Sequence, residues 1–131
     1  MNVDARILIV EDNEINLRLM QAQISHLEFE HVKSFAEATK ALGWLVNNPC
    51  DLVLTDCRME PMDGIELTQE IRKLDAQANR HTIIIAVTAG AMPNDLKGCV
   101  QAGMDDYLIK PIQIAALQAM LCKWLPCVPD P

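Results

Sequence analysis

The chain alternates five times between a short apolar run and a longer segment whose apolar residues recur at helical spacing. Arg6-Ile-Leu-Ile-Val10 stops at two acids, the pattern of a strand buried on both faces. Asn13 then caps a helix to about Leu27, with Glu14 in its first turn favouring the helix dipole. Phe29 to Phe35 reads as a second strand, whose charges place it near a sheet edge. Ala36 to Asn47 reads as a helix ended by Asn48-Pro49. Asp51-Leu-Val-Leu-Thr55 is a third strand that stops at Asp56, and a loop with Pro61 and Gly64 leads to a helix over Ile65 to Ala78. Thr82 to Val87, the most β-branched run, is a central strand. Pro93 suits the first turn of the fourth helix and Gly103 its left-handed end. Gly98 inside that helix costs roughly 1 kcal/mol relative to alanine, which predicts a short or mobile element. Asp106 to Ile109 is a fifth strand and Ile112 to about Leu125 a last helix. One domain over residues 5–125 results, with residues 1–4 and 126–131 as tails.

Such alternation with short links predicts an α/β fold, a parallel sheet covered by helices on both faces through right-handed crossovers. In these sheets the ligand crevice lies at the carboxyl ends of the strands. The polar residues there are Glu11 and Asp12 after the first strand, Asp56 after the third, Thr88 after the fourth and Lys110 after the fifth. Three carboxylates gathered on one rim repel one another, so one of them binds a proton or a divalent cation enters. Magnesium suits the second outcome, because it takes octahedral oxygen ligands and keeps several waters. With Lys110 charged and such a cation present, the negative charges balance and an incoming phosphoryl group meets a neutral pocket. Phosphoryl transfer needs alignment and charge stabilisation on the equatorial oxygens. Asp56 is placed to attack as nucleophile and form an acyl phosphate, with Lys110 and the cation on two transferred oxygens and the Thr88 hydroxyl on a third. Singly, Asp12 reads as a helix cap, Lys110 as a solvated loop lysine and Thr88 as a strand end. Their joint placement selects the chemistry.

Composition narrows the picture further. At 131 residues the chain has room for one core. A net charge of -7, a pI of about 4.8 and no Lys/Arg cluster argue against a nucleic-acid partner. The longest apolar stretch, Ile83 to Met92, includes Thr88 and Gly90 and is too short to span a bilayer, so no direct membrane contact is expected. The amino terminus has no signal-peptide shape. Five cysteines without a C-x-x-C pair argue against a disulfide framework or a zinc site and for a reduced, cytoplasmic protein.

Several strings carry a resemblance: Ile-Leu-Ile-Val-Glu11-Asp12-Asn13, Leu-Val-Leu-Thr-Asp56, Met62-Asp63-Gly64, Ala-Val-Thr88-Ala89 and Ala-Gly103-Met-Asp-Asp-Tyr107-Leu-Ile-Lys110-Pro111. Together they resemble the receiver domains of two-component response regulators and hybrid sensor kinases over almost the whole chain. The resemblance implies a flavodoxin-like (βα)5 sheet in the order 2-1-3-4-5. It implies a magnesium pocket (manganese as substitute) of Glu11, Asp12, Asp56 and the backbone carbonyl of Arg58. It implies that Asp56 is phosphorylated from a phosphohistidine of a histidine kinase or phosphotransfer domain. It implies further that Thr88 and Tyr107 switch together and that Lys110 precedes a commonly cis proline. Asp12-Asn13-Glu-Ile-Asn16 and Ala89-Gly90-Ala91-Met92-Pro93 resemble hybrid-kinase receivers more than transcription-factor ones, which fits one module of a longer protein; the alternative is a stand-alone single-domain regulator. In Met59-Glu60-Pro61-Met62-Asp63-Gly64 the proline falls one place later than in the family, so the loop carrying Arg58 departs from the pattern.

The first helix carries two apolar stripes at about 100° per residue. Leu17, Met20, Ile24 and Leu27 face the sheet, and Ile15, Leu19 and Ala22 lie on the wet side. Receivers resembling this one dock their histidine-bearing partner on that helix, which makes Ile15 and Leu19, with Pro111, candidates for partner docking. Rival readings lack support. Arg58 stands where aspartyl phosphohydrolases carry a second acid, no glycine-rich phosphate loop is present, and a phosphorylation-dead docking module is at odds with five intact pocket residues.

Overall fold

A computed structural model describes residues 4–59, 62–90 and 93–125, with backbone only for 93–96. The elements are β1 (Ile7–Val10), α1 (Glu14–His26), β2 (Val32–Phe35), α2 (Ala38–Leu45), β3 (Leu52–Asp56), α3 (Gly64–Ala78), β4 (Ile83–Thr88), α4 (Pro93–Ala102), β5 (Asp106–Ile109) and α5 (Ile114–Trp124). All pairings are parallel and the sheet order is β2-β1-β3-β4-β5, as the resemblance implied. Two cores result, because alternate residues of each strand face opposite sides. Ile7, Ile9, Leu52, Leu54, Ile85 and Val87 pack with Met20 and Ile24 of α1 and Leu117 and Leu121 of α5. Leu8, Val10, Val53, Ile84 and Ala86 pack with α2, α3 and Cys99 of α4.

The differences from the sequence reading fall at the edges. β2 enters the ladder only at Val32, although the carbonyl of His31 already accepts the amide of Ile7 at 2.9 Å. Glu28 has φ 72° at the turn out of α1, which delays the strand. α4 fills the whole expected span and runs unbroken through Gly98, so it is not shortened. A Cβ at Gly98 would meet Ile65 Cδ1 of α3 at 3.4 Å, an ordinary contact. Gly103 ends α4 with φ 104°, as expected of its left-handed position. Pro61 and most of the two tails lie outside the described residues.

Candidate functional site

The register aligns Val10 with Thr55, Asp56 with Val87 and Thr88 with Ile109, so four strands release their next residues at one edge. The amide of Glu11 is tied to the carbonyl of Phe35 at 3.1 Å, and that of Lys110 to the carbonyl of Thr88 at 2.7 Å. These main-chain bonds fix where both side chains start. α1 begins three residues beyond Glu11, with the Asn13 side chain accepting the amide of Asn16 at 3.0 Å, as its capping position predicts.

Glu11, Asp12 and Asp56 offer carboxylate oxygens within 4.8 Å of one another. Glu11 is 0% exposed and Asp56 8%, whereas Asp12 is open to solvent. Lys110 bridges the two buried acids, its Nζ donating to Glu11 Oε1 at 3.0 Å and to Asp56 Oδ2 at 3.1 Å. Burial pushes the Glu11 carboxyl above its usual range. The Lys110 hydrogen bond only partly offsets this, and the neighbouring Asp56 charge adds to it. Burial also disfavours the Lys110 ammonium, but its hydrogen bonds to Glu11 and Asp56 outweigh that and hold its pKa above the ordinary lysine value.

The residues fit a hard divalent cation on two counts. Three carboxylates converge, and among the described residues one ammonium faces the two buried ones. Glu11 Oε1 accepts from Lys110 and, at 3.4 Å, from Asn16, while the buried Oε2 has no hydrogen-bond partner among the described residues. A buried anionic oxygen left unpaired is costly, and a cation held by oxygen ligands removes that cost.

Asp56 has both oxygens oriented, since the amide of Arg58 donates to Oδ1 at 3.2 Å. A cavity of about 420 Å³ opens beside it, lined by Asp56, Arg58, Thr88, Ala89, Gly90 and Lys110. Arg58 also borders the neighbouring hollow with Asp12, Met59 and Asp63. Below Asp56, α3 begins at unusually short range. Asp63 caps it by accepting the amide of Glu66 at 2.8 Å, and the Gly64 amide donates to the Cys57 carbonyl at 3.1 Å. A Cβ at Gly64 would lie 2.2 Å from the Asp56 carbonyl oxygen, so only glycine permits this approach.

Thr88 lines the cavity, but its hydroxyl donates to the Gly90 carbonyl at 3.0 Å and accepts the Gly90 amide at 3.3 Å. Donation to a phosphoryl oxygen therefore requires the side chain to turn. Tyr107, 42% exposed, stands level with Ala86, two residues before Thr88 along the ladder and on the same face of the β4–β5 pair. The Lys110–Pro111 peptide is cis. Ile15 and Leu19 are 78% and 43% exposed and Ala22 and Pro111 are exposed, while Met20 and Ile24 are buried and Leu17 and Leu27 half-buried. Leu19 and Pro111 border one shallow groove with Asn16 and Lys110. The sequence reading missed Asn16 and Gly64 as site residues. The helical turn separating Glu11 from Asn16 is the signal that pointed to the first.

Residues 7–122 match the response regulator receiver domain family, and the chain belongs to that family. It is 38% identical over 120 residues to the sensor protein GacS of Pseudomonas syringae pv. syringae, an overlap of 91% of this chain and 13% of that protein. The chain thus spans a small part of that relative. The receiver domain of the sensor histidine kinase PA1611 from Pseudomonas aeruginosa, crystallised with a magnesium ion in its active-site cleft, is 37% identical with a TM-score of 0.83, covering 92% of this chain and 97% of that one. The receiver domain of Saccharomyces cerevisiae Ssk1, solved with the histidine phosphotransfer protein Ypd1, has a TM-score of 0.82 at 26% identity, covering 92% of this chain and 88% of that one.

Proposed function

We propose that residues 5–125 are the receiver module of a hybrid sensor histidine kinase, and that Asp56 accepts a phosphoryl group from a phosphohistidine. The observation that carries this reading is the Lys110 ammonium shared between Glu11 and Asp56 in a cluster of three carboxylates. Asp56 attacks phosphorus, the bond to the histidine nitrogen breaks, and an acyl phosphate forms. The Arg58 amide and Lys110 hold the two carboxylate oxygens, which fixes the direction of attack. Lys110 then follows the negative charge onto a transferred oxygen, and the Thr88 hydroxyl turns from Gly90 to donate to another. Glu11, Asp12, Asp56 and the Arg58 carbonyl would hold Mg²⁺, or Mn²⁺ in its place, whose chemistry is neutralisation of charge on the transferred oxygens. The magnesium of the PA1611 relative supports that assignment.

The donor is a histidine kinase or a histidine phosphotransfer domain, docked on Ile15, Leu19 and Pro111; the yeast complex supports a partner of this kind. Thr88 and Tyr107 report the phosphorylated state to the β4–β5 face. The reaction takes place in the cytoplasm, on the inner side of the membrane where the parent kinase is anchored. Among the described residues no helix is long and apolar enough to cross a bilayer. The test is intact mass after incubation with acetyl phosphate and Mg²⁺. A phosphate-sized gain is expected in the wild type and not in Asp56→Asn. A gain that survives in Asp56→Asn, or none in folded wild type, overturns the assignment.

A further inference from the structure

Cys57 follows Asp56 directly, and its sulfur lies 3.2 Å from that of Cys99 on α4. Both are buried, at 8% and 4% exposure. A disulfide needs the sulfurs at about 2.05 Å, so an approach of roughly 1 Å closes the gap. The Cys50 thiol donates instead to the Asn48 carbonyl at 3.8 Å, and Cys122 is exposed on α5.

We propose that Cys57 and Cys99 form a reversible disulfide that slows phosphorylation at Asp56, an inference that rests on Asp56 being the phosphoacceptor. Hydrogen peroxide oxidises one thiolate to a sulfenic acid. That step breaks the peroxide O–O bond and releases one water; the other thiol then displaces the sulfenic hydroxyl, so that the S–S bond forms and a second water leaves. The contact makes this second step intramolecular and favours the disulfide over further oxidation. Access to Cys99 is eased by its neighbour Gly98, because a glycine inside a helix lowers the cost of opening it locally. Dithiols reverse the bond, as befits a transient disulfide in a reducing compartment.

The crosslink reaches Asp56 through its neighbours. The Cys57 carbonyl accepts the Gly64 amide at 3.1 Å, and the next amide, that of Arg58, orients Asp56 Oδ1. Drawing Cys57 toward α4 strains both bonds and turns Asp56 away from Lys110. It also ties the end of β3 to the helix that follows Thr88 and Gly90, the segment that must yield when Thr88 turns.

The test treats the 131-residue chain with hydrogen peroxide, maps its peptides and measures phosphorylation by acetyl phosphate with Mg²⁺. A Cys57–Cys99 crosslinked peptide is expected, with a rate at least roughly tenfold below that of the reduced chain, as an ångström-scale misplacement produces. Dithiothreitol should restore the rate. Cys99→Ala should phosphorylate at the wild-type rate before and after peroxide, and Cys57→Ala replaces it if that variant misfolds. No crosslink between these two cysteines, or a crosslink with an unchanged rate, overturns the proposal. A reduced chain that takes no phosphate overturns the Asp56 assignment instead, and the two failures are separable because the crosslink is read by mass alone.

Discussion

At the amino ends of β4 and β5, Arg72 donates to the carbonyls of Thr82 (2.6 Å) and Gly103 (2.7 and 3.0 Å) and to the carboxylates of Asp75 (2.8 Å) and Asp105 (3.0 Å). Asp75 also accepts the amide and hydroxyl of Thr82, at 2.9 and 2.7 Å. At the carboxyl ends, three acids face one bridging lysine, and a buried carboxylate oxygen has no partner among the described residues. The acids respond in opposite ways. Burial opposes ionisation of Asp75, yet the hydrogen bonds from Thr82 and Arg72 outweigh it and hold the carboxyl below the usual range, while Glu11 is pushed above it. One end of the sheet spends its polar groups on holding the fold. The other leaves them under-neutralised, and that deficit is what draws in a cation and a phosphoryl group.

Substitutions at the two ends should therefore part company. Asp75→Ala leaves the buried amide and hydroxyl of Thr82 without their acceptor and removes one of the partners of Arg72, and should cost about 2–4 kcal/mol in urea unfolding, with phosphorylation retained where the protein stays folded. A loss below 1 kcal/mol would mean that the amino-end cluster is ornamental. Gly64→Ala should cost about 1–3 kcal/mol and slow acetyl phosphate labelling together, because the new methyl displaces the Asp56 backbone. Glu11→Gln should stabilise the magnesium-free protein by about 1 kcal/mol by removing a buried charge and its repulsion with Asp56, yet weaken magnesium binding in a fluorescence or calorimetric titration. Destabilisation with unchanged affinity would contradict the contrast.

Acid sharpens it further. The carboxyl of Asp75 is depressed on folding, so between that lowered value and the ordinary one, about 3.9, the unfolded chain binds more protons. Its stabilisation is present above the ordinary value and disappears as the pH falls through the lowered one. Asp106 acts in the same sense: burial raises its pKa, but hydrogen bonds from Lys123, the Tyr107 amide and Trp124 bring it below normal. Asp75→Asn should flatten the acid limb of a stability profile taken from about pH 5 to pH 2. The smallest effect on stability, within about 0.5 kcal/mol, is expected for Ile15→Glu or Leu19→Glu on the exposed side of α1. These variants should accept phosphate from acetyl phosphate normally and slowly from the phosphohistidine partner. Equal slowing with both donors would assign the patch to folding.

Legibility followed the same division. β1, β3 and β4 are covered on both faces and read as unbroken apolar runs, so their ends and the acids beyond them were plain from the chain. β2, at the sheet edge, was overextended, because no periodicity reveals a left-handed Glu28. The Arg72 cluster went unseen. Its members are 3 to 33 residues apart, each an ordinary helix or loop polar residue, and only the ladder register brings Thr82 and Asp105 to the same end. Gln23 was missed for a related reason. It is buried beside the apolar stripe of α1 because its amide reaches the Ile112 carbonyl at 2.8 Å, a partner 89 positions away. Cys57 and Cys99 likewise carry no mutual spacing signal.

The reach of Lys110 has a consequence for how a phosphorylated domain differs from an unphosphorylated one. A side chain rooted past the last strand touches the acid that follows the first, across the two strands between. Once Asp56 carries a phosphoryl group, its carboxylate loses its formal charge while the transferred oxygens bring about two negative charges, and the ammonium has reason to leave Glu11 for them. A chemical event on one oxygen atom thereby becomes a change in which strands are electrostatically fastened together, a message written across the width of the sheet before any helix moves.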